Sequence, residues 1–87
     1  MPRGRNRQTG ELTTAVAAIL SDAFLDLFIT QTQFGVLTGI SQSMVSLFFR
    51  GERSPDLDQL DRMCKALGLD VSLVVSQASA SRSTADS

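Results

Sequence analysis

The chain has 87 residues, 43% of them apolar, with 8 basic and 9 acidic side chains and no His, Tyr or Trp. That is one domain's length and a globular composition, and a chain this short buries only about 60–65% of its unfolded surface, so its core must be efficient or shared. The lone Cys64 excludes an intrachain disulfide and fits a small core hydrophobe in a reduced, cytoplasmic protein. With no His to activate that thiol and no ligand spacing among the carboxylates, neither an enzyme nor a metal or cofactor site is expected. No apolar run approaches the ~18 residues a membrane span needs, and the basic N-terminus lacks the apolar stretch of a secretory signal.

Residues 1–10 carry Arg3, Arg5 and Arg7 with Pro2, Gly4 and Gly10, and read as a flexible basic arm. From Gln8 to Phe49 there is no Lys or Arg at all. A helical pattern follows the arm: Leu12, Val16, Ile19, Leu20, Ala23, Phe24 and Leu27 share one face, and Leu25 falls outside it. Thr30 with Gln33 three positions on is a capping-box pattern and opens a second helix, which Gly39 interrupts. Gly39-Ile40-Ser41 is a tight turn, with Ser41 capping a third helix over about 42–49 that Gly51 ends.

Ser54-Pro55-Asp56 starts a fourth helix whose stripe is Leu57, Leu60, Met63, Cys64 and Leu67, and Gly68 stops it. Asp70 or Ser72 caps a short apolar helix containing Val71, Val74 and Val75. That helix either closes the core or offers a homodimer contact. From Ser76 the chain is Ser/Ala-rich without apolar period, which predicts a frayed or disordered tail over 76–87 after a domain over 11–75.

The segment Gln31–Gly51, QTQFGVLTGISQSMVSLFFRG, sets two short helices across a three-residue turn containing Gly. Gly35 removes a side chain where the second helix crosses closely, and the arrangement presents that helix outward. The run Gly-Ile-Ser-x-x-x-Val-Ser, then Gly51, Ser54-Pro55, Leu57, Leu60, Ala66, Leu67 and Gly68 resembles the lambda-repressor/Cro-like helix-turn-helix family of phage and bacterial regulators. The resemblance covers about residues 30–69. It implies an all-α, five-helix domain that binds duplex DNA as a transcriptional regulator, most simply a small repressor.

The same resemblance assigns roles. Gln31 matches a residue that contacts phosphate and buttresses the recognition helix. Gln42 and Ser43 match a pair that reaches base edges, and a Gln amide can meet adenine N6 and N7. Ser46 and Leu47 face the same way, Leu47 toward a thymine methyl or a protein interface. Arg50 and Arg53 either hold phosphates or balance Glu52 and Asp56. Separately, Pro2-Arg3-Gly4-Arg5 resembles an AT-hook core, which leaves the arm arginines Arg3, Arg5 and Arg7 open to minor-groove insertion, looser phosphate contact or a solvated tail.

Two departures stand out. Relatives pair an Arg in the first helix with a Glu at the end of the third; the corresponding positions here are Phe24 and Phe49, expected to meet as an apolar pair. Val36 and Leu37 stand where relatives are polar and, with Leu25, make a candidate apolar patch. A protein-interaction module of antitoxin or anti-repressor type, working through Val36, Leu37 and Leu47, is the alternative these residues raise.

Overall fold

Caps and glycines set the boundaries of five helices: α1 (Glu11–Leu25), α2 (Gln31–Thr38), α3 (Gln42–Phe49), α4 (Leu57–Leu67) and α5 (Val71–Asp86). The structure, a computed structural model, describes the backbone of residues 10–86 and the side chains of residues 10–80. Among the described residues there is no strand, and no helix is long and apolar enough to cross a membrane.

The capping box read from Thr30 and Gln33 is present: Thr30 Oγ1 accepts from Gln33 N at 3.0 Å and Gln33 Oε1 accepts from Thr30 N at 2.9 Å. Ser41 Oγ accepts from Met44 N at 3.3 Å and opens α3. A second capping box starts α4, where Asp56 Oδ1 accepts from Gln59 N at 2.7 Å and Gln59 Oε1 accepts from Asp56 N at 2.9 Å. Each such cap satisfies amide donors that the first turn leaves without partners, worth about 1 kcal/mol.

The core gathers one face of every helix: Val16 and Leu20 from α1, Phe34 from α2, Val45 and Phe48 from α3, Leu60, Met63, Cys64 and Leu67 from α4, and Val74 and Ala78 from α5. Leu12, Ile19, Ala23, Phe24 and Leu27 complete the α1 stripe against it. Burial pushes the Cys64 thiol above its ordinary pKa, and the carboxylates of Asp61 and Asp70 add to the shift.

Phe24 and Phe49 meet as expected, ring centroids 4.8 Å apart, and Phe34 joins both at 5.5 Å. The aromatic trio ties α1, α2 and α3 together without the desolvation cost that an ion pair at these positions would carry.

Two readings of the sequence need correction. Leu57 stands at the first position of α4 and is 82% exposed, so the buried stripe begins one turn later at Leu60. The chain expected to fray after Val75 instead stays helical to Asp86. Ala78 explains the continuation across its own turn: its side chain is fully buried in the core, and α5 packs chiefly along α1. A small residue satisfies close helix packing without the large apolar periodicity that marks a helix in sequence.

The same packing bears on the expected α5 contact. Val74 is 2% exposed, and Val71 and Val75 pack half-buried against their own core. Leu73 is the large apolar side chain that α5 exposes among the described residues.

Candidate nucleic-acid interface

The turn between α2 and α3 is fixed by interlocking local contacts. Gly39 takes φ 72°, a left-handed conformation that glycine adopts without strain, and its N–H donates to the Gly35 carbonyl at 2.8 Å. The Ile40 N–H donates to the same carbonyl at 3.1 Å. Thr38 is the buried polar side chain of this region. Its hydroxyl donates to the Phe34 carbonyl at 2.9 Å and lies 3.4 Å from the Ile40 N–H, from which it accepts. Buried polar groups with partners on both sides rigidify the backbone they bridge.

Gly35 lets the two helices close. A Cβ built there would stand 2.6 Å from the Ile40 carbonyl oxygen, a backbone atom that cannot swing aside. Thus α3 leaves the turn in one direction. Val45 and Phe48 face inward, and the first turn, Gln42 and Ser43, is exposed.

Helical spacing carries the outward stripe onward. Ser46 lies one turn beyond Gln42, Leu47 one turn beyond Ser43, and Arg50 one turn beyond Ser46. Ser46 and Leu47 are half-buried, and Arg50 and Arg53 are exposed. Gln31, at the start of α2, meets this stripe: Gln42 Nε2 donates to Gln31 Oε1 at 3.3 Å. Gln31, Gln42, Ser43, Ser46, Leu47 and Arg50 therefore share one side of the helix pair. Arg53 lies past the Gly51 turn, in the loop toward α4.

One feature was not expected: Thr38 is the lock of the turn, and nothing in the spacing distinguished it from a solvent-facing Thr. Of the two alternatives open for Arg50, the balance with Glu52 is present, its Nε 3.5 Å from Glu52 Oε2, with both side chains more than half exposed. At that exposure the pair is worth little, so phosphate can compete for the guanidinium. Val36 and Leu37 are exposed on the outer side of α2 as expected, and Leu47 is half-buried on α3. The arm residues Arg3, Arg5 and Arg7 lie outside the described residues.

Residues 29–74, more than half of the chain, match the family described as helix-turn-helix. The chain belongs to this lambda-repressor/Cro-like family of DNA-binding transcriptional regulators. Its fold is also that of the clp gene regulator ClgR from Corynebacterium glutamicum. One crystal structure of ClgR superposes with a TM-score of 0.76 at 24% identity, over 90% of this chain and 83% of that one. Another gives a TM-score of 0.70 at 27% identity, over 80% and 91%. No curated protein matches the chain.

Proposed function

We propose that the protein is a sequence-specific repressor of bacterial or phage type, acting in the cytoplasm by occupying an operator with α3 in the major groove. The observation that carries this reading is the Gln31–Gln42 hydrogen bond, which pre-positions the Gln42 amide at the exposed start of α3. A side chain held in place before binding loses less rotamer freedom on contact with a base edge. Gln42, Ser43, Ser46 and Leu47 take the base contacts, with Gln42 on adenine and Leu47 against a thymine methyl. Gln31, Arg50 and Arg53 hold the phosphates and set register. Arg50 exchanges Glu52 for a phosphate oxygen as it docks.

The arm, through Arg3, Arg5 and Arg7, enters the adjacent minor groove. Because residues 8–49 contain no Lys or Arg, the arm carries a large share of the attraction to phosphate. One helix-turn-helix buries only roughly 600–1,000 Å² against DNA, so the working form is a homodimer on a palindrome whose half-sites lie about one helical turn apart.

The test is a fluorescence-anisotropy titration against a randomised duplex pool at two salt concentrations, with the bound fraction sequenced. An enriched palindromic motif is expected. Gln42→Ala then costs about 1–3 kcal/mol and relaxes preference at one base pair of each half-site. Deleting residues 2–7 lowers the salt slope by up to about three ionic contacts. Binding that is unselective in the intact protein, or unaltered selectivity in Gln42→Ala, refutes the docking.

A further inference from the structure

The end of α3 is closed by a cap that sets two opposite charges side by side. Gly51 takes φ 71°, its N–H donates to the Phe48 carbonyl at 3.1 Å, and the Glu52 N–H donates to the Leu47 carbonyl at 3.0 Å. This pair of bonds is a Schellman ending, which satisfies the last carbonyls of the helix. The cap is seated on α1. A Cβ built on Gly51 would stand 3.6 Å from the Ala17 Cβ and 3.7 Å from the Thr14 Cα. The Ser21 hydroxyl, shared with the Ala17 carbonyl, donates to the Phe49 carbonyl at 3.3 Å. Arg50 and Glu52 therefore leave a fixed backbone, and their side chains meet at 3.5 Å.

The surroundings make this pair conspicuous. From Gln31 to Phe49 there is no Asp, Glu, Lys or Arg, so across Gln31–Glu52 Arg50 and Glu52 are the two charges and they cancel. Among the described residues Arg53, in the next loop, has no ion pair, and Lys65 pairs with Asp61 inside α4. The fold does not need the Glu52 carboxylate. The cap uses its backbone N–H, and an ion pair this exposed adds little stability. For DNA the carboxylate is adverse, because it neutralises the cation at the end of α3 and repels phosphate. A side chain that the fold does not need and that weakens attraction to every duplex is explained by the difference it makes between duplexes.

We propose that Glu52 determines specificity without touching a base, by holding Arg50 on unselected DNA and releasing it on the matched site. The inference rests on the docking of α3 in the major groove. On an unmatched sequence α3 sits loosely, and the phosphates stand at distances where water and salt screen them, while the Glu52 carboxylate stays at 3.5 Å. On the matched sequence the base contacts of Gln42 and Ser43 fix the register and bring a phosphate oxygen into direct contact. Arg50 then exchanges an exposed carboxylate for a charge-assisted bond to phosphate, and Glu52 swings into solvent. Sequence read at one end of α3 thus decides whether the cation at the other end engages.

The test is fluorescence anisotropy of the full chain on the duplex it selects and on a scrambled duplex, across a salt series. Glu52→Gln is expected to raise affinity for the scrambled duplex by about three- to fivefold and to steepen its salt slope by about one ionic contact. On the selected duplex, where Arg50 is already engaged, the slope stays as it was and affinity rises by less than about twofold, so discrimination falls. In an Arg50→Gln background, adding Glu52→Gln leaves the scrambled-duplex affinity within about 1.5-fold, because the carboxylate acts through Arg50. Equal gains on both duplexes overturn the proposal. So does a gain that persists without Arg50, which would make Glu52 a bare charge near DNA, and so does unchanged scrambled-duplex binding in Glu52→Gln. Those outcomes leave the DNA-binding reading standing, whereas an unaltered chain that selects no duplex defeats that reading and this inference with it.

Discussion

The chain reverses direction on either side of α2, and both reversals place a residue in the left-handed region. Between α2 and α3 that residue is Gly39, φ 72°, backed by the buried Thr38 hydroxyl and by two amides converging on one carbonyl. Between α1 and α2 it is Phe28, φ 57°, with its ring in solvent. The first turn spends its composition on holding the following helix in one direction. The second accepts strain and exposes an aromatic ring. The difference separates a turn shaped by the geometry of the helix it launches from a turn shaped by the surface it presents.

Substitutions at the two turns sharpen the contrast. The largest effect is expected at Gly35→Ala, where the new Cβ meets the Ile40 carbonyl at 2.6 Å. Overpacking against backbone costs about 2–3 kcal/mol, read as a lower midpoint in urea unfolding, and it displaces α3 enough to weaken DNA binding beyond the loss of stability.

Thr38→Val keeps the shape and removes the hydroxyl from Phe34 and Ile40. Because Ile40 N–H retains the Gly35 carbonyl, the loss is limited to about 1–1.5 kcal/mol, checked by the same unfolding curve. Gly39→Ala is expected to cost about 1 kcal/mol, since about 1–2 kcal/mol of left-handed strain outweighs the reduced entropy of the unfolded chain.

Phe28→Gly should do the reverse. Relief of the strain exceeds the entropy that glycine loses, leaving a net gain of about 0.5 kcal/mol and a slightly higher Tm. Opposite signs for Gly39→Ala and Phe28→Gly would establish the contrast. A destabilised Phe28→Gly protein would mean that the ring supports the protomer's own fold.

What could be read in advance follows the range of the interactions. Thr30 with Gln33, Gly39 and Ser41 act within four residues, and those signals placed α2, the turn and α3 where they are found. The Phe24–Phe49 contact was legible only because a family resemblance aligned two positions far apart in sequence. The extension of α5 was not legible, since Ala78 is defined by its burial against α1 and Ala looks the same in a tail. Leu57 misled because spacing alone does not show that the first residue of a helix can stand outside the core. At the site, the outward stripe of α3 followed from helical spacing, and the proposed roles of Gln31 and Gln42 rest on resemblance. The Arg50–Glu52 pair was one of two alternatives that composition left open. Phe28 escaped notice because no local rule selects phenylalanine for a left-handed turn.

The cation-free stretch from Gln8 to Phe49 has a consequence for how such a protein finds its target. A chromosome offers about 10⁶–10⁹ competing sites, and cationic surfaces dwell on all of them. On the proposed docking, α2 and α3 hold no Lys or Arg to linger on passing phosphate, so bulk DNA retains few copies through this body. Non-specific retention, and the sliding search that depends on it, then fall on that docking to the arm arginines and to Arg50 and Arg53.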